Sequence, residues 1–101
     1  MSEPVAETPE ARLKRMRMRS WRRGTKEMDL ILGPFADSEL AVLDAPALDA
    51  YERLLEENDR DLYPWVTARL RGDRDGPEGH AAMLDRIAAH SAGRLREIRG
   101  A

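Results

Sequence analysis

Apolar residues recur at three- and four-residue spacing along most of the chain, and no segment alternates apolar and polar positions as a half-buried strand would. The first eight residues, MSEPVAET, show no apolar period and are expected to form a mobile tail. A first helix is predicted after them. Thr8 can accept a hydrogen bond from a free first-turn amide, and Pro9 takes the next position, where its missing N–H costs nothing. Leu13 and Met16 fall near one face, Met18 and Trp21 lie displaced around the cylinder, and Gly24 is the expected stop.

Thr25 can cap a second helix through residues 26–43, where Met28, Ile31, Leu32 and Phe35 keep helical spacing and Leu40 and Leu43 resume it. Gly33-Pro34 interrupts this pattern. A proline inside a helix deletes one ladder bond and crowds the preceding turn, so a kink or break is expected near Leu32. Asp44 and Pro46 signal a third helix with Leu48, Tyr51, Leu54 and Leu55 on its buried face. Asn58 to Asp61 reads as a turn. Asp59 or Asp61 would cap a fourth helix bearing Leu62, Trp65, Val66 and Leu70, with Pro64 in its first turn and Trp65 in the core. RGDRDGPEG reads as a loop. Pro77 opens a fifth helix with Met83, Leu84, Ile87 and Ala88 inward, and Gly93 is its expected stop.

The pattern therefore predicts an all-α fold, a compact bundle of about five short helices. Its expected organisation is a tail over residues 1–8, a helical domain over 9–92 and a C-terminal tail over 93–101. Composition agrees. Aromatic residues make up only 5% of the 101 residues, so the core must come mainly from Leu, Ala, Met, Ile and Val. With no cysteine, neither a disulfide scaffold nor thiolate zinc site is available. No apolar stretch approaches the roughly 20 residues that span a bilayer. Glu3, Glu7 and Glu10 are unlike a basic signal or an acid-poor transit peptide, so a soluble, cytoplasmic protein is expected.

Charge changes the picture. The formal net charge is −2, yet all eight bases of residues 1–27 fall between Arg12 and Lys26, where no acid occurs. Residues 28–61 hold ten acids against Arg53 and Arg60. The basic run has three readings from composition: a solvated helix face, a docking surface for an acidic protein, or a nucleic-acid arm in which Trp21 stacks on a base. The acidic middle and the absence of a recognisable binding motif beside the run weigh against the last.

Catalytic constellations are missing from the sequence. His80 and His90 have no metal-ligand spacing and are expected to face solvent. The serines lie in no nucleophile elbow, the acids of residues 56–61 lack calcium-loop spacing, and the glycines form no phosphate loop. No catalytic or metal-binding residue is assigned, and the chain is expected not to be an enzyme.

Residues 22–29, Arg22-Arg23-Gly24-Thr25-Lys26-Glu27-Met28-Asp29, contain Arg-Gly-x-x-Glu followed by an apolar residue and Asp. Downstream stand Tyr51-Glu52-Arg53-Leu54-Leu55-Glu56 and Asp59-Arg60-Asp61-Leu62-Tyr63-Pro64-Trp65-Val66. In this order and spacing the two segments resemble the SdhE family, the flavinylation factors of succinate dehydrogenase, called succinate dehydrogenase assembly factor 2 in mitochondria. The resemblance covers roughly residues 12–90. It implies a five-helix bundle that binds the flavoprotein subunit of succinate dehydrogenase, with fumarate reductase as a further bacterial client, and promotes covalent attachment of FAD to a histidine of that subunit. It also implies that Arg23, Gly24 and Glu27 face the partner and that the isolated chain binds no cofactor of its own and no nucleic acid; a small nucleic-acid-binding helical protein using the basic Arg12–Lys26 helix stands as the alternative. Trp21 departs from the bacterial pattern, which places an aromatic a few residues earlier.

The residues are compatible with that assignment. Gly24 permits a left-handed backbone and close approach of another surface. Arg23 offers a planar fork for a carboxylate or carbonyl. Glu27 can cap amides, pair with Arg23 at i,i+4, or meet the partner.

Overall fold

The computed structural model describes residues 7–100, with side chains described through residue 94. Five α-helices follow one another: α1 (Pro9–Trp21), α2 (Lys26–Glu39), α3 (Ala45–Leu55), α4 (Asp59–Leu70) and α5 (Ala81–Gly100). Short 3₁₀ turns over Leu40–Val42 and Glu78–His80 follow α2 and precede α5. The expected tail falls, up to residue 6, outside the described residues. Its last two positions belong to the fold: Thr8 caps α1 by accepting from the Ala11 amide, and Glu7 pairs with Arg15 at 2.8 Å.

Thr25 and Asp44 cap α2 and α3 as their sequence positions predict, accepting from the amides of Met28 and Ala47. α4 differs. Its cap is Asn58, which makes no side-chain capping bond, and the expected cap Asp59 turns to Arg23 instead. Pro64 is the sixth residue of α4, beyond its first turn.

α1 stops before Gly24, because the Arg23 amide, which would otherwise extend the ladder, donates to the Asp29 carboxylate at 2.7 Å. Of the kink or break expected near Leu32, the break is absent: α2 runs through Pro34 to Glu39. Pro34 leaves the carbonyl four residues back, that of Leu30, without its helical donor. Arg94 of α5 supplies one, its Nη1 lying 3.0 Å from the Leu30 oxygen. Gly33 likewise suits its place in the helix, since the Trp21 ring of α1 occupies the space of a side chain there. The predicted stop at Gly93 is also corrected: α5 passes through it to Gly100. A glycine inside a helix costs only about 1 kcal/mol relative to alanine. The helix also has a packed face to carry it, with Met83, Leu84, Ile87 and Ala88 buried.

The core forms where these faces meet. α1 packs along α2, α4 along α5, α2 also against α5, and α3 on α1 and α5. Met16, Met28, Leu32, Phe35, Tyr51, Leu54, Leu62, Val66 and Ile87 are buried, and Trp65 packs against them partly exposed. Full burial of such a side chain contributes roughly 1.5–3 kcal/mol. Tyr51 stacks on Phe35 with ring centroids 5.4 Å apart, and its hydroxyl lies 2.6 Å from the Ser20 Oγ. Ser20 donates its single proton to the Met16 carbonyl at 2.8 Å, which leaves Tyr51 as the donor to Ser20. Burial pushes the Tyr51 phenol up from 10.0 to about 12.

Neither histidine faces solvent as expected. The His80 Nε2 lies 2.9 Å from a Glu57 carboxylate oxygen, beside the Trp65 ring, and the His90 ring stands edge-on to Phe35 at 5.6 Å.

Candidate partner-binding site

The basic run between Arg12 and Lys26 is divided by helical geometry. Arg12, Arg15, Arg19 and Arg23 follow three- and four-residue spacing and turn toward the acidic segment. Arg12 pairs with Asp49 and Glu52 at 2.7 Å, Arg15 with Glu52 at 2.5 Å, Arg19 with Glu56 at 3.1 Å and Arg23 with Asp59 at 2.8 Å. Hydrogen bonds from Arg15 and Arg12 hold the Glu52 carboxyl below the usual carboxylate range. Opposite charge in the first and middle thirds of the sequence thus binds α1 to α3 and the turn after it. This intramolecular role lies outside the three readings that composition allowed.

The Arg-Gly-x-x-Glu segment sits where that zipper ends, in the junction between α1 and α2. Arg23 is held at both its backbone and its side chain. Its amide bonds Asp29, while its guanidinium donates from Nε to Asp59, from Nη1 to the Leu55 carbonyl at 2.8 Å and from Nη2 to the Glu57 carbonyl at 2.7 Å. The Leu55 carbonyl ends α3, where helix carbonyls lack ladder donors and a cation is favoured, and the Glu57 carbonyl lies in the turn that follows. Asp59 opens α4, where the helix N-terminus favours its negative charge. Its Oδ2 is buried without a hydrogen-bond partner among the described residues. Only 10% of the Arg23 side chain and 12% of the Asp59 side chain is exposed.

Gly24 is the next residue and is exposed, with φ +107, a backbone region that side chains disfavour. A Cβ placed on it would meet nothing within 4 Å. Conformation, rather than internal crowding, therefore requires the glycine, and the space before it is open. Glu27 projects from the first turn of α2 and is exposed. Among the described residues it makes neither the amide cap nor the Arg23 pair that its spacing allows; Thr25 and Asp59 fill those roles.

Two open depressions flank this junction. One, of about 470 Å³, is lined by Thr25, Glu27, Asp59, Arg60, Tyr63 and Pro64. The other, of about 490 Å³, runs past Arg23 and Gly24 along the turn after α3 to Arg60. Thr25, Asp59 and Arg60 are common to both. Sequence reasoning placed Arg23, Gly24 and Glu27 at the surface; the structure has Gly24 and Glu27 there, whereas the Arg23 side chain is turned inward, because the end of α3, the turn after it and Asp59 take all three of its nitrogens. The same reasoning missed Asp59 as part of the site, although the residue lies in the second matched segment. Among the described residues no group of three or more His, Cys, Asp or Glu side chains is arranged to hold a metal ion, and no helix is long and apolar enough to cross a membrane.

Comparison with known proteins places these residues in context. A family model described as the flavinator of succinate dehydrogenase matches residues 14–91. The FAD assembly factor SdhE of Aliivibrio fischeri is 37% identical over 75 residues, covering 74% of this chain and 84% of that protein. The protein of the same name from Vibrio parahaemolyticus is also 37% identical over the same shares. The mitochondrial succinate dehydrogenase assembly factor 2 of Mycosarcoma maydis is 41% identical over 64 residues, covering 63% of this chain and 27% of that protein. No solved structure matches the chain.

Proposed function

From the premise that the chain belongs to the family of succinate dehydrogenase flavinators, we propose that it is an assembly chaperone that promotes covalent attachment of FAD to a histidine of the succinate dehydrogenase flavoprotein. It acts in the cytoplasm and is not itself the catalyst. The FAD it serves belongs to the partner. Gly24 and Glu27 make up the face offered to the flavoprotein, with Gly24 admitting a close backbone approach and Glu27 available beside it, while Arg23 of the same segment holds the junction from within. A second client is the flavoprotein of fumarate reductase.

The observation that carries this reading is the exposed Gly24, with φ +107 and open space before it, next to a Glu27 that is exposed and unengaged among the described residues, in the segment the family model covers. Covalent flavinylation needs a histidine nitrogen aligned with the flavin carbon it attacks. Holding reacting groups in such geometry can supply about 7–11 kcal/mol of a barrier. The chain supplies no acid or base to that reaction. It stabilises the flavoprotein conformation in which the alignment exists and then dissociates. The inward pairing of Arg12, Arg15, Arg19 and Arg23 supports a protein partner over a phosphate backbone, since these cations already have carboxylate partners.

The test is to produce the flavoprotein with and without this protein and measure flavin fluorescence retained after denaturation. Higher retention with the protein is expected. Equal retention overturns the proposal. The same comparison with the fumarate reductase flavoprotein decides the second client.

A further inference from the structure

Arg23 heads the family segment, yet its guanidinium faces into the fold. Each of its three nitrogens already donates, to Asp59, the Leu55 carbonyl and the Glu57 carbonyl, while its own amide is taken by Asp29. For Arg23 to grip a partner directly, those bonds would have to break and leave a nearly buried Asp59 without its cation, a costly state. Asp59, for its part, forms a shared wall of the two depressions beside Gly24.

We propose that Arg23 and Asp59 are positioning residues for flavinylation. Their ion pair fixes the turn between α3 and α4 against the junction between α1 and α2, and so sets Gly24 and Glu27 relative to Arg60 and Tyr63 across the depression. The motif arginine acts through Asp59, and the partner touches the surface that the pair holds in shape. This inference rests on the proposed flavinylation role.

A control is built into the molecule. Arg69 of α4 and Asp85 of α5 form an ion pair of the same length, Nε to Oδ1 at 2.8 Å, with 4% of the Arg69 side chain and 50% of the Asp85 side chain exposed, and Arg69 also donates to the Asp75 carbonyl.

The experiment compares the full chain with Arg23→Gln, Asp59→Ala, the double variant and Asp85→Ala. Helix content and melting temperature are followed by circular dichroism. Affinity for the flavoprotein and covalently retained flavin are measured at a temperature where every variant is folded. Arg23→Gln and Asp59→Ala are each expected to weaken affinity about tenfold, and the double variant no more than the weaker single, as for two members of one unit. Asp85→Ala is expected to lose melting temperature but keep wild-type affinity. Should Asp59→Ala fail to fold, Asp59→Asn, which keeps the shape and loses the charge, serves in its place, with weakened affinity again expected.

Full affinity in the folded Asp59 variant overturns the inference, as do losses that add in the double variant, which would mean direct contact by Arg23. An equal loss in Asp85→Ala also overturns it, because stability alone would then be the cause. If the wild-type chain itself raises no flavin retention, the fault lies with the proposed function.

Discussion

The indole of Trp21 lies against Gly33, so that a Cβ built on the glycine would fall 2.6 Å from Cε3 and closer still to Cδ2 and Cε2. The Nε1 of the same ring donates to the Asp37 carboxylate at 3.2 Å, one turn further along α2. An alanine in place of a helical glycine ordinarily stabilises by about 0.5–1 kcal/mol. Here the sign reverses. Gly33→Ala is expected to destabilise by about 1–3 kcal/mol, because the ring must leave its seat. Urea unfolding measures it, and a stabilised variant would contradict the packing described.

Pro34, Leu30 and Arg94 form a conditional unit. Arg94→Ala is expected to cost about 0.5–1.5 kcal/mol in the natural sequence, where the Leu30 carbonyl loses its donor. With Pro34→Ala in place, the new amide can bond that carbonyl, and the cost of Arg94→Ala should shrink toward zero. A double-mutant cycle by thermal unfolding decides it; equal costs in the two backgrounds would refute the coupling.

Gly24→Arg tests the approach to the junction. Its backbone φ of +107 imposes strain of about 1–3 kcal/mol on any side chain, but no atom lies within 4 Å of the new Cβ. The variant is expected to keep its helical circular dichroism and lose stimulation of flavinylation. An active, folded variant would exclude close approach at this position.

Tyr51 predicts alkaline behaviour. Burial raises its folded value to about 12, above the ordinary 10.0, so the folded state holds its proton where the unfolded chain releases it. The stability this supplies is complete below the ordinary value and declines as pH rises from 10.0 toward about 12. Tyr51→Phe should flatten the stability profile in that window, as read by denaturant titration. An unchanged slope would contradict the burial argument.

Glu52 predicts the acidic limb. Its folded value is depressed below 4.5 by Arg15 and Arg12, so its stabilisation is present above that pH and lost as pH falls through the depressed value. Glu52→Gln should therefore lose stability near neutral pH and show a shallower acid decline than the natural chain. Parallel profiles would place the acid sensitivity elsewhere.

What was legible in the sequence was local. Thr8, Thr25 and Asp44 cap the helices they precede because capping is decided within one turn. Met28, Leu32 and Phe35 are buried because their spacing alone assigns them to one face. What escaped depends on a distant partner. Asp59 reads as a cap until Arg23, 36 positions away, claims it. Pro34 reads as a break until Arg94 answers the carbonyl it frees, and Gly33 as a weak point until Trp21 fills its place. The candidate site divides in the same way. Gly24 and Glu27 were recognisable within the segment, whereas the inward orientation of Arg23 requires the end of α3 and the start of α4.

The bond between Arg23 and Asp59 also bears on how portable the site is. A synthetic peptide spanning residues 20–30 would spell the whole Arg-Gly-x-x-Glu signature and still lack the wall that Asp59, Arg60 and Tyr63 provide. Grafting those letters onto another helical scaffold would transfer a text without its shape. A mimic or inhibitor of this surface has to reproduce two stretches of chain held at a fixed separation, and the smallest unit that does so is most of the bundle.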